Sequence, residues 1–163
     1  MVFELGIIIL VIIVMAGAAM YYGSALNKEK YKISIKESLD LVQLPIITFY
    51  EGKVKLNFLL DTGSSHSHIT LSVADKLMGT PVEADYSFTA CTGSSTCSKA
   101  IDTNLSYKGK EFKTTLFVNK ELDTAFKDIK DESGVQLHGI IGSDFLKKHK
   151  YILDFAKFVA YSK

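Results

Sequence analysis

The sequence predicts an all-β, barrel-like fold with short helices, preceded by one transmembrane helix. Apolar and polar residues alternate with period two through Lys53–Phe58, which is typical of a half-buried strand. Glycine-containing turns at Gly52 and Gly109 each separate two β-prone segments, as in hairpins. An uncharged apolar segment, Leu5–Tyr22, precedes them and is long enough for a helix to cross most of a bilayer.

Composition limits the possible function classes. The chain has 163 residues, enough for one domain and an appendage, and 47% of them are hydrophobic, which is sufficient for a core. The net charge of +1 does not indicate a nucleic-acid partner. All 19 basic residues are lysine, so bidentate arginine clamps on phosphate are not expected. Two cysteines are too few for a zinc site or a disulfide-rich scaffold.

The amino-terminal segment is predicted to be a transmembrane anchor over residues 1–24, followed by a connector over residues 25–43. Tyr21 and Tyr22 lie where an interfacial aromatic belt would be. Ala16–Ala18 also resembles a cleavage site, so a cleaved signal peptide is the alternative. Lysines follow the apolar segment and none precedes it, which favours a single-pass protein with a cytoplasmic domain.

Residues 44–163 are predicted to form the folded domain. Before it, Lys32–Lys36 alternates and could be a short strand. A hairpin turning at Glu51-Gly52 is predicted to deliver Asp61 at the end of its second strand. A helix is expected to start at Ser72, with a capping acid, and to end after about two turns.

The rest of the domain is also mainly β-prone. Tyr86–Thr103 is predicted to be a hairpin with its tip at Thr92–Thr96, and Leu105–Val118 a hairpin that turns near Lys108–Lys110. Leu122–Val135 is charged and is expected to be a surface excursion. A buried strand should then end at Gly142, with Ser143 capping a short helix. Two strands, Tyr151–Phe155 and Phe158–Tyr161, are expected to finish the chain.

Asp61-Thr62-Gly63-Ser64 is the most informative sequence in the chain. A carboxylate at a strand end, on a glycine turn lined with hydroxyls, is an arrangement that can hold an acid rigidly beside a water. The chain contains no second Asp-Thr-Gly or Asp-Ser-Gly. A two-carboxylate site would therefore need a second copy of the protein. The alternative is an ordinary turn capped by aspartate and serine side chains.

Leu59–Ser65, followed by His138–Leu146, resembles the retropepsin-like aspartic proteases over residues 44–163. The resemblance implies a half-barrel domain that pairs as a homodimer and hydrolyses polypeptides without a cofactor. A catalytically silent relative, acting as a dimerisation or peptide-binding module, is the alternative.

The resemblance also implies roles for single residues. Asp61 would be the catalytic carboxylate, Thr62 would hydrogen-bond across the dimer, Gly63 would permit the turn and contact substrate backbone, and Ser64 would donate to the carboxylate. The strand crossing behind this loop would be Ile140, Ile141 and Gly142. The flap over the substrate would include Thr92, Gly93, Ser94 and Ser95. Phe158–Ser162 would pair with the partner's termini.

Two further residue pairs allow alternatives. Cys91 and Cys97 would lie opposite each other if the flap turned at Gly93–Ser95, which would permit a disulfide, and two free thiols are the alternative. His66 and His68 form a His-x-His pair without a convincing third ligand, so we expect no metal and interpret them as solvated or hydrogen-bonded histidines.

Overall fold

The computed structural model describes residues 12–23, 31–90 and 93–162, with only the backbone described at 88–90 and 93–95. The chain divides into two compact units, Met1–Lys32 and Ile33–Lys163. In the first unit, residues 12–23 are helical (α1). Among the described residues, no helix is both long enough and apolar enough to cross a membrane. The predicted transmembrane segment, Leu5–Tyr22, begins outside these residues.

The second unit is mostly β-sheet with short helices, as predicted. In chain order its elements are β1 (Ile33–Ser34), α2 (Lys36–Val42), β2 (Ile46–Glu51), β3 (Val54–Leu60), β4 (His68–Thr70), α3 (Leu71–Ala74), β5 (Thr80–Ala90), β6 (Gly93–Tyr107), β7 (Lys110–Asn119), α4 (Glu121–Ser133), β8 (Gly139–Ile141), α5 (Ser143–Lys148), β9 (Tyr151–Asp154) and β10 (Val159–Ser162). Within the described residues, seven strands form one sheet in the order β2-β3-β8-β4-β7-β6-β5. A further pairing of β2 with β6 curls this sheet into a partial barrel.

Two hairpins are confirmed, and both depend on local turn chemistry. The β2–β3 hairpin pairs Glu51 with Val54 across the turn that contains Gly52, whose φ is 57°. The β6–β7 hairpin turns at Lys108 and Gly109, with φ of 49° and 84°. Two successive positive φ values match a type I′ turn, which glycine favours. The hairpin turns therefore set the register of the strands that surround the site.

The core lies between the curled sheet, α5 and the terminal strands. Alternate residues of β3, Leu56, Phe58 and Leu60, are buried, as the period-two pattern predicts. Phe49 lies at the centre, with ring centroids of Phe112 and Phe145 at 5.4 and 5.6 Å. Each buried aromatic side chain stabilises the fold by roughly 1.5–3 kcal/mol relative to exposure. The strand that leads to Asp61 is therefore anchored in well-packed structure.

The prediction of a surface excursion over Leu122–Val135 is wrong, because most of this segment is helix α4. Leu122, Phe126 and Ile129 recur at helical spacing and pack in a cluster with Ile46 and Leu137. Charged residues occupy most other positions of α4, which hid this apolar stripe.

The predicted boundary between connector and domain is also corrected. The compact unit starts at Ile33, ahead of the predicted start at residue 44. Ile33 and Ile35 are buried, and Leu39 of α2 packs against the same core. The short strand predicted within Lys32–Lys36 is present as β1. The segment thus belongs to the domain because its apolar residues complete the core.

Helix α3 is one turn long, not two, and starts at Leu71 instead of Ser72. Its first two backbone N–H groups are capped by a residue far away in the chain. The Asp123 carboxylate accepts hydrogen bonds from Leu71 N (2.9 Å) and Ser72 N (3.2 Å). Gly79 lies between α3 and β5. A Cβ there would lie 2.7 Å from Asp102 O, so this glycine permits close approach to β6.

A second sheet contains the terminal strands in the order β1-β10-β9. Val159 and Ala160 pair with β1 on one side, and all four residues of β10 pair with β9 on the other. Within one chain, β10 therefore lies between β1 and β9. The expected pairing of Phe158–Ser162 with a partner's termini stays a prediction, because β1 pairs only with Val159 and Ala160.

Candidate active site

Asp61 is the first residue after β3, in a loop that leads to β4. Its backbone N–H donates to Ile141 O at 3.0 Å. Strand β8 lies between β3 and β4, pairing Leu60 with Ile141 and His68 with Ile140. The segment Ile140–Gly142 therefore lies directly behind the loop that holds the carboxylate.

The Asp61 carboxylate is held by its own loop. Asp61 Oδ1 accepts a hydrogen bond from Gly63 N at 2.8 Å, and Asp61 O accepts one from Ser64 N at 3.2 Å. The φ of Gly63 is not positive, so the turn itself does not require glycine. A Cβ at Gly63 would lie 3.2 Å from Asp61 Oδ1. The local reason for glycine is therefore that it leaves space for the carboxylate.

Ser64 does not donate to the carboxylate, contrary to the role that the resemblance implied. Its hydroxyl donates to His66 O at 2.7 Å and closes the loop on itself. Thr62 and Gly63 are exposed at the loop tip, while Asp61 is half-buried. The loop tip therefore faces solvent in the single chain.

The start of α5 braces the loop. Ser143 does not cap this helix as expected, because Gly142 occupies the N-cap position. Instead Ser143 donates to Ser64 O through its N–H (2.8 Å) and through its hydroxyl (2.6 Å). A Cβ at Gly142 would lie 2.4 Å from His66 O, so only glycine fits between the two segments.

A buried serine and an aspartate add a second brace. Ser67 is fully buried, its hydroxyl donates to Asp144 Oδ1 at 2.7 Å, and it accepts from Gly142 N at 3.0 Å. Asp144 Oδ2 accepts from Ser67 N at 3.1 Å. Both carboxylate oxygens of Asp144 thus accept hydrogen bonds from Ser67. The role of Asp144 is therefore structural and differs from that of Asp61.

The flap hairpin is formed by β5 and β6, and its register differs from the expected one. Its last described pair joins Ala90 to Gly93, and the predicted flap residue Thr92 and the neighbouring Cys91 lie outside the described residues. Backbone pairing also places Ser94 opposite Thr89 and Ser95 opposite Phe88.

The expected opposition of Cys91 and Cys97 is wrong, because the register places Tyr86 opposite Cys97. Cys97 is a free, buried cysteine, and burial raises the pKa of its thiol. The pairing of Ala90 with Gly93 belongs to the same register, which shifts the partner of Cys97 by several residues from the expected one.

Four rings join the β5–β6 hairpin to the Asp61 loop. His66 and Tyr86 have ring centroids 4.0 Å apart, and Phe117 on β7 lies 5.0 Å from each of them. His68 completes this ring cluster at 6.1 Å from Phe117. Ser65 Oγ hydrogen-bonds Tyr86 Oη at 2.6 Å and His66 Nδ1 at 3.0 Å.

The two histidines of this cluster differ in environment. His68 is buried, and burial lowers its pKa, with the neighbouring His66 lowering it further and the carboxylates of Asp144 and Asp61 acting in the opposite sense. His66 is half-buried. In the described part of the chain, no group of three potential metal-ligating side chains comes together. The His-x-His pair is visible in the sequence. Its aromatic partners, Tyr86 and Phe117, are not, because they lie far away in the chain.

The chain is similar to known proteins in sequence and in structure. No curated protein sequence matches the chain significantly. Among solved structures, the EIAV protease complexed with the inhibitor HBY-793 is 21% identical, with a TM-score of 0.49, and the match covers 67% of this chain and 90% of that one. The retroviral protease-like domain of Ddi1 from Leishmania major is 16% identical, with a TM-score of 0.47, covering 75% of this chain and 94% of that one.

The sequence model of the family described as aspartyl protease matches residues 47–145, more than half of the chain. The match contains Asp61 and its loop, the flap hairpin, and the segment through Phe145 that braces the loop. The resemblance to retropepsin-like aspartic proteases is thereby confirmed, and the chain belongs to the aspartyl protease family.

Proposed function

We propose that the protein is a homodimeric aspartic endopeptidase in which two Asp61 carboxylates, one from each subunit, activate a shared water. The observation that carries this proposal is the Asp61 loop itself. Its carboxylate lies at a strand end, bonded to the Gly63 N–H, in a chain with a single Asp-Thr-Gly sequence. Thr62 and Gly63 are exposed beside it, where a second subunit could meet them.

The chemistry follows from the pairing of two like charges. Two carboxylates a few ångströms apart do not both ionise readily, so they share one proton. The ionised member takes a proton from the water as it attacks the scissile carbonyl carbon, and the protonated member donates to the carbonyl oxygen. The tetrahedral intermediate then collapses: the carboxyl group that took the water's proton protonates the leaving nitrogen, the other carboxylate takes back a hydroxyl proton, and the C–N bond breaks without a covalent acyl-enzyme. Both carboxylates titrate as a unit.

The proposed substrate is a polypeptide in an extended conformation. It would lie between the Asp61 loop and the flap hairpin, adding main-chain hydrogen bonds as an extra strand does. The flap residues Thr92, Gly93, Ser94 and Ser95 would cover it in this proposal. Thr62 would brace the two loops of the dimer.

The test is digestion of a fluorogenic peptide library by the full-length protein in detergent. Wild-type protein should cleave peptides, and a pepstatin-like inhibitor should block cleavage. Asp61→Asn should reduce cleavage to background, while the matched change Asp128→Asn, on the exposed face of α4, should not reduce it. The rate per subunit should rise with protein concentration, because active dimers form by association.

Cleavage by the Asp61→Asn protein at the wild-type rate would refute the proposal. Peptide binding by the wild-type protein without any cleavage would instead support the catalytically silent alternative, a peptide-binding module of the same fold.

We also propose that residues 1–24 anchor the protein in a membrane as a single pass, with the protease domain on the cytoplasmic side. The uncharged segment Leu5–Tyr22 and the lysines after it support this proposal. Extraction of cell membranes with alkaline carbonate should leave the protein in the pellet, and release into the supernatant would contradict the anchor.

A further inference from the structure

A polar cavity of about 670 Å³ lies where strand β6 changes its pairing partner. Strand β6 pairs with β5 as far as Asp102 and with β2 at Ser106. Glu51, the last residue of β2, lines the cavity between these two pairings. Among the described residues, none of the Asp61 loop lines it, so this cavity is separate from the candidate active site.

The Glu51 carboxylate is buried in the wall of this cavity, with one oxygen unpaired. The residue is only 4% exposed. Its Oε1 accepts hydrogen bonds from Met78 N at 2.9 Å and from Thr103 Oγ1 at 3.0 Å. Its Oε2 is also buried, and no described residue donates a hydrogen bond to it. Because burying a carboxylate oxygen without a donor is costly, Oε2 needs a donor that the described residues do not supply.

The charges around the cavity favour a donor that is positively charged. Three carboxylates, those of Glu51, Asp102 and Glu111, line it together with two lysines, Lys113 and Lys148, so acids outnumber bases by one. No salt bridge joins either lysine to Glu51 within the described residues. A ligand with a single positive charge therefore complements this lining.

The uncharged part of the lining favours a small polar organic ligand. Most of it consists of hydroxyl and amide side chains, those of Thr80, Thr103, Asn104, Ser106, Thr114 and Thr115. These groups both donate and accept hydrogen bonds, and so does a hydroxylated ligand. A metal ion is not favoured, because no three potential metal-ligating side chains come together in the part of the chain that the structure describes. The volume is in the range of pockets that hold small organic molecules.

We propose that this cavity binds a small hydroxylated primary amine, whose ammonium group donates a hydrogen bond to Glu51 Oε2. The ammonium supplies both the donor and the positive charge that the buried carboxylate lacks. The Met78 side chain is the flexible part of the wall, since it is 76% exposed and lies against Gly52, the neighbour of Glu51. Its rotation would widen access to Oε2. The proposal does not depend on peptidase activity.

Isothermal titration calorimetry on the full-length protein in detergent, at neutral pH, tests the site with two pairs of compounds. Ethanolamine and glucosamine each carry an ammonium group and hydroxyl groups. Choline has the charge and hydroxyl of ethanolamine but no N–H donor, and glucose lacks the amino group of glucosamine. At least one of the two amines should bind with a Kd of about 1 mM, and its matched compound should bind at least about tenfold more weakly.

Glu51→Gln is the most informative variant, because it keeps the acceptor Oε1 and removes only the charge and the unpaired oxygen. It should bind the amine at least about tenfold more weakly than wild type does. Its melting temperature should equal or exceed that of wild type, since a buried unpaired charge is lost. Glu132→Gln makes the same chemical change at an exposed position of α4 and is the matched control, which should bind as wild type does.

Asp102→Asn replaces Glu51→Gln if that variant does not fold. Asp102 is exposed in the lining, and asparagine keeps an oxygen that can accept the hydrogen bond from Thr115 Oγ1. Amine binding should weaken by about two- to threefold, as expected when an exposed charge is removed.

Two results would overturn the site. One is that neither amine binds more tightly than its matched compound, which would leave water as the donor to Oε2. The other is amine binding that Glu51→Gln leaves unchanged or, where that variant does not fold, that Asp102→Asn leaves unchanged. Both results would leave the peptidase proposal standing, because they concern the binding of small amines and not the cleavage of peptides.

Discussion

Ser143 donates two hydrogen bonds to the same acceptor, Ser64 O, at 2.8 Å from its backbone N–H and 2.6 Å from its hydroxyl. Its hydroxyl also lies 3.3 Å from Thr62 O. The start of α5 therefore holds two carbonyl groups of the loop that carries Asp61. Through these contacts Ser143 acts as a positioning residue for the carboxylate.

Ser143→Ala should lower kcat with little change in KM, because the backbone bond to Ser64 remains while the loop loses its hydroxyl brace. We expect a decrease of about five- to tenfold, corresponding to the net value of about one hydrogen bond. Ser143→Thr, which keeps the hydroxyl, should recover most of the activity. Steady-state kinetics on one fluorogenic peptide would measure all three proteins, and an unchanged kcat in Ser143→Ala would contradict the role.

Gly142→Ala should destabilise the fold severely. The new Cβ would lie 2.4 Å from His66 O and 2.9 Å from Ser64 O, and both are backbone atoms that cannot rotate away. We expect the free energy of unfolding to fall by about 2–4 kcal/mol, the range of overpacked and strained sites. Urea denaturation monitored by circular dichroism would measure this loss of free energy of unfolding.

Gly134→Ala provides the contrast, because open space surrounds its Cβ position and only its φ of 75° opposes the change. It should cost about 1 kcal/mol. Equal losses of stability for the two variants would show that contact with the Asp61 loop is not the reason for glycine at position 142.

Asp123→Ala should destabilise the protein by about 1 kcal/mol, since α3 loses the carboxylate that accepts from its first two N–H groups. Asp128→Ala removes a similar charge from an exposed position of the same helix and should change stability by less than about 0.5 kcal/mol. Thermal unfolding of the two variants under the same conditions would measure both changes in stability. A larger effect from Asp128 would exclude the capping role.

The domain should lose stability in mild acid because of its histidines. Burial lowers the pKa of His68, His138 and His149 below the ordinary value of 6.5. Where the pH lies between the folded and unfolded pKa values, the unfolded chain binds more protons, so the free energy of unfolding decreases as the pH falls. Stability should therefore be highest above about pH 7 and should decline toward about pH 5.

His138 gives the most direct test of that sign, because its Nδ1 accepts a hydrogen bond from Asn57 N at 2.9 Å and must remain unprotonated to do so. His138→Gln should be less stable than wild type near neutral pH and should show a smaller further loss on acidification. Urea titrations at several pH values would measure both. A domain that becomes more stable between about pH 7 and pH 5 would contradict the assignment.

Local signals explain what the sequence could predict. The Glu51–Val54 and Tyr107–Lys110 hairpins were predictable because a positive φ at glycine and alternating apolar residues act over a few neighbours. The position of the Asp61 loop was predictable because the alternating apolar residues of β3 end at Leu60, directly before Asp61. The tip of the flap was not, since several small polar residues in a row allow more than one register.

Contacts between distant segments account for the rest. Helix α4 was missed because charged residues separate Leu122, Phe126 and Ile129, and its apolar stripe matters only against Ile46 and Leu137. The cap on α3 comes from Asp123, about fifty residues away. The ring cluster likewise joins His66, Tyr86 and Phe117 from three separate strands or loops. No local pattern in the sequence encodes these pairings.

The position of β10 between β1 and β9 has a consequence for how activity would be controlled. Strand β10 pairs with β1 and β9 of its own chain, so this sheet can form before the chain meets a second copy. If the protein acts as the proposed dimer, association would then be a reversible on-switch set by protein abundance, since dilution would separate two folded, inactive chains without denaturing either one.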